Sequence, residues 1–294
     1  MTTLASTFRT LPPRSLRIRH YATKGSNIVF NLSKKDRREQ VKLGDKVSKT
    51  QEEATRLMKE KGGPLIPGTF ISHPVSQYPK NLPEKWQYQV ARTRTWVGEI
   101  ASVLTLKITS MRSWTKRPRW KARRSSIPPT AVALHRQALE AFAAGDREAL
   151  RRICVGNYAD RLIASLDRRP KREGVRFSFQ PGPWSLWYPR IKSHFVVALD
   201  SSVMLEQAVV AMSSTQKMSK YVLSTGQAIP GSLKLQDKVE HVVLTRLVDL
   251  VTYDSKPWKL WGIVSPTTLE EYLKDRIAAE KDLIHKAGWK KSQA

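Results

Sequence analysis

From residue 174 to residue 264 the chain strings together six stretches rich in β-branched and aromatic residues, 174–179, 190–199, 205–218, 219–226, 237–252 and 258–264. The connections between them are too short for crossover helices, which parallel pairing requires, so the sheet has to be antiparallel. Helical patterns precede it. Pro128, Pro129 and Thr130 open a helix that carries Leu134, Ala138, Leu139 and Phe142 on one face and ends at Gly145. Asp146 is placed to cap a second helix with Leu150 and Ile153, and a third runs over about 157–167 and stops before Pro170. A last helix, over about 268–287, presents Leu269, Tyr272, Leu273, Ile277, Leu283 and Ile284. The fold class that follows is α+β, with N-terminal helices packed on a curved antiparallel sheet and a basic, extended N-terminal arm in front.

Upstream, residues 86–112 read as a helix that packs onto this domain through Val90, Trp96, Val97, Ile100, Val103, Leu104 and Ile108, which recur at three- and four-residue steps. Between Gly62 and Lys85 stand Pro64, Pro67, Pro74, Pro79 and Pro83, a spacing that forbids regular helix and suits either a linker or an extended run over a partner's surface. Residues 34–61 are dense in charged and amide side chains and have no broad apolar face to bury. The expected organisation is a targeting segment over 1–21, a basic Pro-rich arm over 22–85, and an α+β domain over 86–294.

The targeting segment is read from composition. No Asp or Glu occurs in the first thirty-five residues, whereas Arg9, Arg14, Arg17 and Arg19 and seven Ser or Thr fall in the first twenty-three. That is the composition of a mitochondrial transit peptide, and Arg19, Tyr21 and Ala22 form a candidate processing site for the matrix peptidase. The expected location is the matrix side of the mitochondrial inner membrane, with the protein peripheral to it. Among the stretches of the sequence, none approaches the eighteen or so uninterrupted apolar residues of a membrane span; the longest apolar region, Phe195 to Met212, is broken by Asp200, Glu206 and Gln207.

The net charge is +27 and is unevenly spread. Residues 1–126 carry 27 Lys/Arg against 8 Asp/Glu, and 127–294 carry 25 against 17. Such an excess repels itself unless a polyanion lies against it, and nucleic acid and an anionic lipid surface are the two candidates. The densest signal is the acid-free run with Arg112, Lys116, Arg117, Arg119, Lys121, Arg123 and Arg124, interleaved with Trp114 and Trp120. Guanidinium groups pair bidentately with phosphate oxygens and tryptophan rings stack on unpaired bases, so these nine residues are the candidate RNA-binding set. Pro118 and the Arg content make the run a poor amphipathic lipid helix, which favours RNA as the partner.

Catalytic and metal chemistry find little support. The single cysteine, Cys154, excludes an intrachain disulfide and a Cys-rich zinc site and reads as a small core residue. The six histidines lack metal-ligand spacing, and no GxSxG, P-loop or GxGxxG is present. His194 and His241 read as core or sheet-face residues. A fold of this type can hold a pocket between sheet and helices, here with Trp187, Phe195 and Trp261 as candidate lining, but no acid-base pair converges on it in the sequence. The expectation is a non-enzyme with no cofactor, no metal and no small-molecule substrate.

A helix, then Phe142, Gly145, Asp146 and Leu150, then a second helix, a long meander and a late strand with Trp258, Trp261 and Gly262 resemble the Tim-forty-four-like domain family over about residues 86–287. That family takes in the inner-membrane import-motor tether, the fungal Mba mitoribosome receptor and an animal mitoribosomal large-subunit protein. The resemblance implies a cystatin- or nuclear-transport-factor-like fold and no catalysis. It also implies a place at the polypeptide exit of the mitochondrial large ribosomal subunit, against large-subunit rRNA and exit-site ribosomal proteins, facing the inner-membrane lipid surface and an Oxa-type insertase. The short region before Trp86 and the large basic excess suit a ribosome receptor better than an import-motor tether, and a purely structural mitoribosomal protein is the further alternative.

Overall fold

A single twenty-residue strand, β3 (Val203–Val222), organises the sheet. In this computed structural model, which describes residues 56, 61–74, 77–170, 172–200 and 202–286, the helices are α1 (Leu82–Thr109), α2 (Ile127–Ala144), α3 (Arg147–Ile153), α4 (Gly156–Asp167) and α5 (Leu269–Lys286). The other strands are β1 (Glu173–Pro181), β2 (Arg190–Ala198), β4 (Lys234–Asp249) and β5 (Lys259–Val264). All strand pairings are antiparallel, so the fold class is the α+β one expected.

β4 pairs with one edge of β3 from Val203↔Asp249 to Met218↔Lys234, and β5 continues the sheet beyond it. The other edge of β3 is shared: β2 takes Met204 to Ala211, and β1 takes Ser214 to Val222. The sequence pattern separates 205–218 from 219–226, yet β3 runs through the break to Val222, and only the residues beyond it turn away. The reason is a change of environment within one strand: residues 205–212 are buried on both faces, Glu206 and Gln207 included, while the far half is half-exposed.

On one face, Ala208, Val210, Met212, Val242, Leu244 and Leu260 meet Ala131, Ala138, Leu150, Cys154 and Ala159 of the α2–α4 layer. Local signals set the helix ends. α2 starts with proline in its first turn, where the missing N–H is not needed, and stops at Gly145, whose φ of 79° is a left-handed conformation glycine adopts without strain. Asp146 then caps α3 by accepting the Ala149 N–H at 2.9 Å.

The opposite face is covered by the Pro-rich segment, which lies on the protein's own sheet. Ile71 packs against Val209 and Val243. The Trp261 Nε1–H donates to the carbonyls of Gly62 and Gly63 at 3.1 and 2.9 Å, the Ile66 N–H donates to the Gln207 side-chain oxygen at 2.9 Å, and the His73 N–H donates to the Tyr88 hydroxyl at 2.8 Å. The domain therefore begins by Gly62, not at Trp86; prolines exclude helix but leave an extended chain free to dock.

α1 has the expected periodicity and a different inward face. Tyr88, Ala91, Thr95, Glu99 and Leu106 are buried, while Val90, Trp96, Val97, Leu104 and Ile108 are exposed. The helix runs along the open edge of β2, where unpaired backbone amides call for acceptors. Glu99 accepts from the Ser193 hydroxyl and the His194 backbone N–H, and Ser102 Oγ accepts the Val196 N–H at 3.3 Å. At one end Tyr88 and Ala91 join Phe70 and Tyr272 of α5, and at the other Leu106 joins Trp120, Val196 and Val248. On α5, Leu273 and Ile277 are exposed, and the side chains of Leu283 and Ile284 lie outside the described residues.

Candidate nucleic-acid interface

The basic run forms the connection between α1 and α2, and one side chain ties it down. Trp120 is 1% exposed and sits among Leu106, Val196 and Val248. It is a core anchor and does not offer its ring to a base, which corrects the expectation that both tryptophans stack on RNA. Burial of an indole among aliphatic groups outweighs its place in a basic stretch, because a large ring contributes more from packing than two flanking cations lose by lying beside it. The loop is closed behind the anchor by the Arg119 N–H donating to the Ser110 carbonyl at 3.3 Å, and braced by the Tyr253 hydroxyl donating to the Thr109 carbonyl at 2.8 Å.

With Trp120 inside, its neighbours are forced out. Arg112, Lys116, Arg117, Arg119, Lys121, Arg123 and Arg124 are all exposed, and among the described residues none of them is in a salt bridge. Trp114 is 87% exposed, with no packing on the domain to spend its ring on. Seven unpaired cations around a free indole can engage phosphates by charge and an unpaired base by stacking.

The structure also adds residues that the run does not contain. Arg119, Lys121 and Arg123 line a cavity of about 340 Å³ together with Trp120, Arg246, Tyr253, Asp254 and Ser255. Arg246 is fixed there by Glu206, to whose carboxylate its Nε and Nη2 donate at 2.7 and 3.1 Å, and by the Trp258 ring, whose centroid is 4.4 Å from the guanidinium carbon. Arg123 and Tyr253 have φ of 40° and 62°, the left-handed region, which costs a non-glycine residue on the order of 1–3 kcal/mol and tends to be kept where function needs the geometry. The orienting contact is the cross-strand pair Glu206↔Arg246, a product of strand register, so only alternation within β3 and β4 could have pointed to it. Arg112, Lys116, Arg117 and Trp114 lie outside this cavity, on the exposed part of the loop.

The other sequence candidates separate. Trp187 is exposed in the loop between β1 and β2, Phe195 lies beside Gly98 of α1, and Trp261 lines a different cavity with Tyr158 and Val155, so the three do not share a pocket. His194 Nε2 is 2.9 Å from Glu206 Oε1, with both side chains fully buried, and His135 Nε2 is 3.1 Å from Glu240 Oε2. Both histidines are held to carboxylates of the sheet, Glu206 buried and Glu240 half-buried. Burial pushes the Cys154 thiol up to about 12, so the nucleophilic thiolate is not formed at neutral pH. Among the described residues no group of three His, Cys, Asp or Glu is placed to hold a metal ion, and no helix is long and apolar enough to cross a membrane. Arg19, Tyr21 and Ala22 lie outside the described residues.

No protein-family model matches the chain, and no curated protein matches it.

Proposed function

We propose that this protein is a component of the mitochondrial large ribosomal subunit at the polypeptide exit, which binds rRNA and holds the ribosome against the inner membrane beside an Oxa-type insertase. The observation that carries the reading is the loop between α1 and α2, where seven exposed cations, none in a salt bridge among the described residues, and the exposed Trp114 ring surround a buried anchor. Phosphate neutralisation by such a group is sequence-independent and releases counterions, as suits a fixed rRNA backbone. The acid-free N-terminus supports a matrix location, and the resemblance noted above supports the exit-site placement.

The exposed stripe on α1 supports the membrane side of the role. Trp86, Val90, Val97, Leu104 and Ile108 follow one another at helical steps along the outer surface, with Lys85, Arg94 and Lys107 on the same helix. An apolar face flanked by cations lies in a bilayer interface without crossing it, each cation contributing about 1 kcal/mol near an anionic surface. The reading assigns the protein no catalytic step. Sedimentation of mitochondrial extracts through sucrose at graded salt tests it: the protein should travel with the large subunit at low salt and be released as salt rises. Absence from ribosomes at low salt overturns the proposal, and co-sedimentation with the inner-membrane import machinery would move the assignment to the import-motor tether.

A further inference from the structure

The edge of the sheet covered by α1 holds a second cationic cavity, of about 420 Å³, to which the run between α1 and α2 contributes no residue. Its walls come from four places: the Pro-rich segment, the middle of α1, the start of β2, and β4. Three cations converge on it, Arg92 from α1 and Arg190 and Lys192 from β2, and among the described residues none of them is in a salt bridge. The groups beside them are neutral. Arg92 donates to the Tyr78 hydroxyl at 3.2 Å, Lys192 donates to Ser72 Oγ at 3.4 Å, and Arg190 lies over the Tyr188 ring at 5.3 Å.

The one acid in the lining is Glu99, whose carboxyl burial pushes up to about 7, so it cancels only part of this charge at neutral pH. The cations also act on one another. Burial, then Arg190 and Arg92, bring the Lys192 ammonium down to about 8, and burial, then Lys192, Arg190 and His73, bring His241 down to about 4. Groups held close enough to depress each other gain from an anion placed among them. Rings complete the lining: Trp96, Tyr78 and Tyr188 stand beside the cations, and a cavity of this size falls in the roughly 300–1,000 Å³ range of small-ligand sites.

We propose that this cavity binds the phosphate of a single ribonucleotide, free or looped out of an RNA strand, with Arg92, Arg190 and Lys192 on the phosphate and the Trp96 and Tyr188 side on the base. The site is separate from the rRNA-binding run and does not depend on the ribosome-receptor reading. Cations and aromatic rings in one cavity recognise a phosphate carried on a flat base better than either a bare phosphate or a neutral aromatic compound.

The test is calorimetric titration of the full chain with adenosine monophosphate, inorganic phosphate and a single-stranded hexaribonucleotide. Adenosine monophosphate should bind with one-to-one stoichiometry and about tenfold more tightly than inorganic phosphate, the equivalent of one base stacked on an aromatic ring. Arg190→Gln with Lys192→Gln should weaken that binding about tenfold or more without lowering the unfolding temperature, since the pair removed is mutually repulsive. A variant with Arg112, Lys116, Arg117 and Arg119 changed to Gln should bind the mononucleotide as the parent does, so failure of the rRNA reading and failure of this one are distinguishable. Between about pH 8 and 10, binding should take up a proton, because a phosphate beside Lys192 restores its ammonium against the pull of Arg190, Arg92 and burial; His73, His241 and Glu99 also face the cavity and set the remaining charge. Binding of the hexaribonucleotide alone, lost in the Arg190/Lys192 variant, assigns the phosphate to a strand. Equal affinity for adenosine monophosphate and inorganic phosphate, or an unaltered affinity in the double variant, overturns the proposal.

Discussion

Glu99 of α1 accepts a hydrogen bond from the Ser193 hydroxyl of β2, a carboxyl spent on closing a sheet edge and pushed up to about 7 by its burial. A carboxyl whose folded pKa is raised binds more protons in the folded state. Its contribution is complete below the unfolded value near 4.5 and is lost as pH rises through about 7, amounting to roughly 3 kcal/mol at most. His241 acts with the opposite sign, stabilising above its usual 6.5 and losing that contribution as pH falls towards 4. Comparing Glu99→Gln with the parent by thermal unfolding from pH 5 to 8 isolates the carboxyl: the variant should lose the decline and be the more stable protein at pH 8.

The two tryptophans of the basic run should part company. Trp120→Ala empties a packed site and should cost about 3–5 kcal/mol in denaturant unfolding, whereas Trp114→Ala should leave stability within about 0.5 kcal/mol of the parent. RNA affinity should behave inversely for Trp114, falling by about 1–3 kcal/mol with the salt dependence kept. An unstable Trp114 variant would place that ring inside the fold.

Salt dependence counts the phosphates. Replacing Arg112, Lys116, Arg117 and Arg119 by Gln should flatten the slope of log affinity against log salt by about 0.7–0.9 for each phosphate no longer neutralised. An unchanged slope in filter-binding with large-subunit rRNA would leave the run to solvent.

On the proposed reading the outward stripe of α1 should be dispensable for folding and needed for retention at the membrane. Val97→Asp and Leu104→Asp should each shift stability by no more than about 0.5 kcal/mol, since both side chains are already exposed. Flotation with vesicles that carry anionic lipid should fall in both variants. Loss of folding instead would mean that the stripe is covered by the domain.

How much of this could be read from the chain depends on which residues are asked. Pro128, Gly145 and Asp146 act within their own turn of chain, so the α2–α3 boundary was legible, and the antiparallel order followed from connection lengths. The inward face of α1 was not. Periodicity locates an apolar stripe but cannot say that the neighbour is a strand edge, which asks for Glu99 and Ser102 and leaves Val97 and Leu104 outside. Likewise a basic run announces its charge, while the burial of Trp120 and the arrival of Arg246 depend on where β2 and β4 fall in register, which composition does not encode.

β1 and β2 stand end to end along one edge of β3, with Pro181 opposite Ser214 and Arg190 opposite Ala211. Of the eight residues between them, Gly182 is held to the ladder by its N–H donating to the Ser213 carbonyl, and the segment carries Trp184, Leu186 and Trp187 into the open, Leu186 at 95% exposure. The two flanking strands are seated on β3 independently, so this junction is a place where chain can be lengthened, shortened or cut while the ladder on either side keeps its register. The protein thus has a built-in site at which its outer surface can be rewritten by mutation without renegotiating its core.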